Sequence, residues 1–244
     1  MIDIHCHILP GIDDGSESMA VSLEMAYDAA ASGVDIIVAT PHCNLPFSEE
    51  KNYVSLKLRD SFLEFREAVK KEKLPLTILS GAEVFATPDL PQLLDKHKLL
   101  TLAGSRYLLV EFYFNENPAF MEQTFSAITE RGLIPVIAHP ERYEAVQHDP
   151  ALADDWFGKG YILQLNKGSI LGKLGRPAEK AALWLLDHGL VHAVASDAHG
   201  QFQRRTDMAA IKDFLAQEYS PECADLLLNV NPRRLLEDKP AVKA

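Results

Sequence analysis

The chain has 244 residues, 47% of them apolar and 24% charged, the balance of an ordinary soluble globular protein with one large core. Its net charge of −11 excludes a general nucleic-acid surface and a polybasic membrane patch. Cys6, Cys43 and Cys223 make no disulfide framework, no apolar run reaches the ~20 residues of a membrane span, and no basic-then-apolar leader opens the chain, so a single-domain cytoplasmic protein over 1–244 is expected.

Ile2 to Ile4 reads as a short strand that delivers His5 and His7, two residues apart and therefore on one side of an extended chain. Pro10 and Gly11 turn the chain, and Asp13 and Asp14 precede a helix over 17–32, with Met19, Leu23, Ala26 and Ala30 on one face and Gly33 as its stop. Val34 to Ala39 is the second strand, ending in Pro41-His42. A long helix is expected after Ser48, with Phe62, Phe65 and Val69 inward. Leu76 to Leu79 is the third strand, followed by Gly81-Ala82-Glu83 and a helix capped at Thr87-Pro88.

Tyr107 to Val110 is the fourth strand and ends at Glu111; Asn117-Pro118 starts the next helix. The fifth strand, Leu133 to Ala138, runs into His139-Pro140-Glu141-Arg142-Tyr143. The sixth, Tyr161 to Leu165, ends at Asn166, and a helix over Arg176 to His188 follows. The seventh, Val191 to Ala195, ends in Ser196-Asp197-Ala198-His199, and the tail from about Thr206 is helical. Seven strands alternating with helices imply a parallel sheet closed or nearly closed into a barrel. The competing open doubly wound sheet would carry a glycine-rich phosphate turn after its first strand, and none is present.

In such a barrel the chemistry lies at the carboxyl ends of the strands, where five histidines and several carboxylates fall here. A cluster of that kind repels itself unless cations hold it. Imidazole and carboxylate without thiolate suits manganese, iron, zinc or cobalt. Nine candidate ligands are enough for three ions sharing a bridging carboxylate, and ions ~3.5–4 Å apart activate water as hydroxide and cleave phosphoesters. Arg142, with Arg204 or Arg205, is a candidate phosphate fork. Cysteine phosphatases carry an arginine six residues past the nucleophile, but those positions hold Ile12, Glu49 and Asn229 after Cys6, Cys43 and Cys223.

These motifs jointly resemble the polymerase-and-histidinol-phosphatase superfamily, and within it the bacterial CpsB/YwqE-type manganese-dependent protein-tyrosine phosphatases of capsule and exopolysaccharide clusters. The likeness runs from Met1 to about Met208. It implies a distorted seven-stranded (β/α)7 barrel with three divalent ions, manganese first among them. It also implies, as substrate, the phosphorylated tyrosine-rich tail of a tyrosine autokinase, with no nucleic acid and no membrane insertion. By the resemblance, His5, His7, Glu83 and Asp197 hold one ion. Glu83 bridges to a second held by Glu111 and His139, and Asp14, His42 and His199 hold the third. Arg142 and Arg204 match the phosphate-contacting arginines. Cys43 replaces a frequent histidine, and Arg205 a frequent proline, which leaves the choice between Arg204 and Arg205 open. The alternative within the superfamily is a histidinol-phosphate or other small-molecule phosphoesterase.

Overall fold

The computed structural model describes residues 1–202 and 204–243. Among the described residues, nine strands form two parallel sheets. The first has the order β1 (Ile2–Cys6), β2 (Ile36–Ala39), β4 (Thr77–Ser80). The second runs β3 (His42–Cys43), β5 (Glu83–Phe85), β6 (Tyr107–Glu111), β7 (Ile134–Ala138), β8 (Ile162–Asn166), β9 (Ala193–Ala195). Each of the seven strands read from sequence is present, with ends shifted by a residue or two; β3 and β5 were not foreseen.

The two sheets are linked rather than separate. Only Thr40-Pro41 divides β2 from β3, and only Gly81-Ala82 divides β4 from β5. Backbone pairing persists across both gaps, with the Gly81 amide on the Ala39 carbonyl at 2.9 Å and the Glu83 amide on the Pro41 carbonyl at 3.1 Å. At the other margin the Asp197 amide donates to the His5 carbonyl and the His7 amide to the Ala198 carbonyl, each at 2.9 Å, so the segment past β9 lies along β1. The result is a mixed α/β fold on a curled parallel sheet.

Helices occur where the sequence alternates polar and apolar at helical spacing. They are α1 (Met19–Ala31), α2 (Leu56–Lys71), α3 (Leu90–Asp95), α4 (Pro118–Thr129), α5 (Glu144–His148), α6 (Ala151–Gly158), α7 (Lys167–Ile170), α8 (Arg176–Asp187), α9 (Ala209–Glu218), α10 (Pro221–Asp225) and α11 (Asn231–Leu236). Alternate residues of β6 show how the layers divide. Leu108 and Val110 join the larger apolar cluster, with Phe125 of α4 and Trp156 of α6. Tyr107 and Leu109 join a smaller one with Ile2, Val136, Ala193 and Leu235 of α11, filling the concave side below the carboxyl ends of the strands.

Three sequence expectations need correction. The helix expected after Ser48 begins at Leu56, where the Ser55 hydroxyl caps the Leu58 amide at 3.2 Å. Residues 44–51 form a loop instead, closed by the Asn44 amide on the Lys51 carbonyl and by Lys51 Nζ on the Leu45 carbonyl. Thr87 does not cap α3, because its hydroxyl is engaged with the Asn44 amide and the Asp89 carboxylate, at 2.6 Å each. The inner face of α1 is Ser22, Met25, Ala26 and Ala29, rotated from the expected stripe because the Ser22 hydroxyl donates to the Ile8 carbonyl at 2.7 Å.

One buried histidine stands apart from the others. His192 stacks on Phe157 at 4.6 Å, and its Nδ1 accepts the Leu163 amide at 3.1 Å, so it is held neutral. Burial, aided by Lys243, pushes its pKa from the ordinary 6.5 down to about 4. The unfolded chain therefore binds the extra proton first, and the stability this histidine confers is complete above pH 6.5 and is lost as pH falls toward 4. Between pH 7.5 and pH 5 the loss should be about 2 kcal/mol. Denaturant unfolding at the two pH values checks this: His192→Asn, whose amide oxygen can accept the same bond, should lose about 2 kcal/mol less than the parent.

Candidate metal centre

Glu83 stands at the centre of the site and reaches it by a close crossing of backbones. A Cβ at Gly81 would lie 2.9 Å from Val38 Cγ1 and 3.2 Å from Thr40 Cγ2, so only glycine lets the β4–β5 segment bend against β2. Fully buried, Glu83 puts Oε1 at 2.9 Å from His139 Nε2 and 3.1 Å from His5 Nε2. Its Oε2 lies 3.0 Å from His42 Nδ1 and 3.2 Å from His7 Nε2. Asp197, nearly as buried, adds Oδ1 at 3.4 Å from His5 Nε2 and 3.5 Å from His7 Nε2.

Two ligand positions carry backbone strain. His139 (φ 37°) and Asp197 (φ 49°) are left-handed, a conformation costing about 1–2 kcal/mol for a side chain with a Cβ. Each is the turn by which a strand end redirects its side chain into the cluster.

The donor atoms fall into three groups whose members lie within 4.8 Å of one another: His5, His7, Glu83 and Asp197; His7, Asp14, His42 and His199; and His42, Glu83 and Glu111. The first matches the set that the resemblance assigns to one ion. The other two differ from it in detail. His7 joins the Asp14, His42 and His199 group. His42 faces Glu111 at 2.8 Å through Nδ1, while its Nε2 faces Asp14 at 3.5 Å. His139 lies 4.0 Å from Glu111 and adjoins the cluster through Glu83 instead.

The donor set fits divalent cations. His42 Nδ1, Glu83 Oε2, Glu111 Oε1, Asp197 Oδ1 and His199 Nε2 are buried and lack hydrogen-bond partners, although they crowd together. Unpartnered lone pairs converging in a water-poor site are costly unless a cation takes them. The electrostatics agree. Burial opposes charge on His42, yet the Glu83 and Glu111 carboxylates together outweigh it and pull the imidazole up to about 10. Burial would raise Glu83, but His5 and His42 hold it well below the carboxylate range. Burial drives His199 down to about 2, with His7 adding to the effect.

Residues behind the cluster orient it. Asp13 accepts from His7 Nδ1 at 2.7 Å and from the His42 amide at 2.8 Å, while Gln164 Oε1 faces His5 Nδ1 at 2.8 Å. These bonds leave the Nε2 atoms of His5 and His7 toward the interior. The Asn166 side-chain amide donates to Asp197 Oδ2. The residue pattern alone did not separate Asp13 from Asp14, the resemblance chose Asp14 as the ligand and gave Asp13 no role, and nothing pointed to Gln164, since one glutamine on a strand carries no motif.

Both candidate arginines reach Asp197. Arg142 Nη1 lies 3.6 Å from Oδ2, with its guanidinium 4.2 Å over the Phe114 ring. Arg204 pairs with the same Oδ2 and donates from Nε to the Asp197 carbonyl at 2.9 Å. Arg205 turns away to Asp28 on the surface, at 2.7 Å. Glu141 accepts the Asn166 amide at 3.0 Å, and Lys167 Nζ donates to the Arg205 carbonyl at 2.6 Å and to that of Asp207.

The family described as "Capsular polysaccharide synthesis, CpsB/CapC" matches residues 1–237. The chain belongs to the CpsB/CapC family. Tyrosine-protein phosphatase YwqE of Bacillus subtilis is 36% identical over 239 residues, covering 98% of this chain and 92% of that protein. Tyrosine-protein phosphatase CpsB of Streptococcus pneumoniae is 33% identical over 244 residues, covering 98% of this chain and 99% of the other. A solved structure from a study of YwqE and CpsB, described as unique metal-dependent tyrosine phosphatases, superposes with a TM-score of 0.92 at 36% identity, over 100% of this chain and 97% of that one. Within this CpsB/CapC chain, the geometry gathers imidazole and carboxylate donors able to take cations, sets two guanidiniums beside them, and keeps bulk water from Glu83 and Asp197.

Gly15 tests how tightly the site is built. A Cβ there would lie 2.2 Å from the His7 carbonyl oxygen and 2.4 Å from His7 Cβ. Gly15→Ala must therefore push the Asp13–Gly15 turn off His7. We expect it to bind manganese at least tenfold more weakly, in line with the loss of groups that orient ligands. Titration calorimetry with Mn²⁺ reads this directly, with circular dichroism to check that the fold persists.

Proposed function

We propose that this chain is a metal-dependent protein-tyrosine phosphatase of capsular or exopolysaccharide synthesis, cytoplasmic, acting on the phosphorylated tyrosine-rich tail of a bacterial tyrosine autokinase. The single observation that carries the reading is the convergence of unpartnered imidazole and carboxylate atoms beside two guanidiniums that share Asp197. The names of the curated relatives direct that phosphoester chemistry to phosphotyrosine. In this reading the nine strands count as seven barrel positions, β2 with β3 and β4 with β5 each serving as one.

Up to three divalent ions, manganese by the resemblance, would be held by the three donor groups. His5, His7, Glu83 and Asp197 serve one; Glu83 and Glu111 serve a second, with His42 or His139; Asp14, His42 and His199 serve a third, with His7. Bound there, divalent cations lower the pKa of water and offset negative charge on phosphoryl oxygens. The chain's own residues do the rest. Arg142 and Arg204 present planar forks to the non-bridging oxygens, and the Asp197 carboxylate keeps both extended before substrate arrives. Asp13 and Gln164 fix the imidazole orientations. The thiols stay out of the chemistry: burial raises Cys6 well above its usual range and Cys43 to about 12. Among the described residues no helix is long and apolar enough to cross a membrane.

Assays on a phosphotyrosine peptide and on histidinol phosphate, with and without a strong chelator, test the reading. We expect chelator-sensitive hydrolysis of the peptide at far higher kcat/KM than of histidinol phosphate; the reverse preference would move the chain to the small-molecule branch. Arg142→Ala and Arg204→Ala should keep their metal and lose roughly 10²–10³ in kcat, as for other preorganised charge-stabilising donors. Arg205→Ala should stay within about threefold, as expected when an exposed ion pair is lost. Replacing Cys6, Cys43 and Cys223 together by serine should leave most of the turnover; loss of turnover with metal content unchanged would mean a thiolate mechanism.

A further inference from the structure

Large aromatic side chains are exposed at the mouth of the metal centre, although a protein this polar has no need to leave them in water. Tyr113 and Phe114, 38% and 43% exposed, follow Glu111 by two and three residues at the carboxyl end of β6. Phe47, 90% exposed, lies on the loop after β3, which carries His42. Two of the rings pair at the rim, and the third, next in the chain to Tyr113, lies beside the ligands. Phe47 and Tyr113 lie 6.2 Å apart, Tyr113 packs edge-on against Phe85 at 4.7 Å, and Phe114 sits 6.0 Å from the His139 ring. The rings therefore run outward from the candidate ligands, with Arg142 over the Phe114 ring at the inner end.

We propose that Phe47, Tyr113 and Phe114 form the surface that receives the phenyl ring and adjacent side chains of a phosphotyrosine peptide, and so select aryl over alkyl phosphoesters. The inference rests on the phosphatase reading above and adds the basis of its substrate choice. The cations and guanidiniums recognise only the phosphoryl group, which is the same on tyrosine, serine and a small alcohol. Discrimination must come from what contacts the rest of the substrate. A tyrosine ring carries its phosphate well away from the peptide backbone, so the ring must pass the rim of a recessed centre. Aromatic faces and edges lining that rim give offset and edge-to-face contacts that an alkyl ester cannot make. Phe114 has a second part, because it also lies under the Arg142 guanidinium; Phe47 and Tyr113 pair with each other, and Tyr113 with Phe85, which makes them the cleaner probes.

The test compares the manganese-loaded parent with Phe47→Ala, Tyr113→Ala and the double variant. Substrates are a phosphotyrosine peptide and the same peptide with phosphoserine, and inorganic phosphate is used as a competitive inhibitor. Each ring should contribute roughly 3- to 10-fold to kcat/KM on the phosphotyrosine peptide, and the double variant should fall by about 10- to 50-fold, mainly through KM. Turnover of the phosphoserine peptide should change less than about threefold, and so should the inhibition constant of phosphate, which reads the cations and arginines without a ring. Unchanged kinetics on the phosphotyrosine peptide would overturn the proposal. A parallel loss on both peptides, with weaker phosphate inhibition, would also overturn it and make the rings a support for the metal centre. If the manganese-loaded parent hydrolyses neither peptide and does not bind phosphate, the phosphatase reading itself falls, and this inference with it.

Discussion

Everything in this molecule defers to one electrostatic constraint: a patch of five imidazoles and four carboxylates, most of them removed from water, has to be kept from flying apart or filling with protons. Glu83 is the hinge of that problem. It is fully buried, stands within 3.2 Å of four imidazoles, and belongs to two of the three donor groups. A carboxylate so placed is stable only in a strong positive field. The same field requires that the scaffold bring its ligands from separate strands, since no local segment could supply them.

The curled sheet meets that requirement by geometry. Parallel strands end at one edge, so His5, His42, Glu83, Glu111, His139 and Asp197 arrive together although up to 192 residues separate them. Below them the apolar contents of the curl give a rigid, low-dielectric floor. Strained turns at His139 and Asp197 then aim side chains that an ordinary strand end would point elsewhere. The cost of those turns falls at the two places where the ligand direction matters most.

Much of this was legible in the chain because two signals coincide. Mostly apolar runs of three to six residues marked seven strands, and a titratable residue followed almost every one. What the runs could not reveal were β3 and β5, two and three residues long and separated from their parent strands by Thr40-Pro41 and by Gly81-Ala82. Such segments exist only because a neighbour pairs with them. The helix expected from Ser48 was misplaced for a similar reason: a loop tied by Lys51 has no periodicity to betray it. At the site, residue types at strand ends named the candidates, but not which nitrogen faces which carboxylate. His42 serves two groups through opposite ring nitrogens, and only the fold decides that. Whether Arg204 or Arg205 turns inward was equally invisible, because adjacent arginines differ only by Asp28 lying within reach of one of them.

The end of β8 has a role that its own side chains do not advertise. Asn166 donates its amide to Glu141, the residue before Arg142, while Lys167 holds the carbonyls of Arg205 and Asp207, on either side of Thr206 and one residue beyond Arg204. The two arginines come from different loops, after β7 and after β9, yet the loops are moored to adjacent residues, the first to Asn166 and the second to Lys167. The strand between them acts as a caliper whose jaws are the guanidiniums. Their spacing is then a property of the one chain segment where β8 passes into α7, and not of two independent loops.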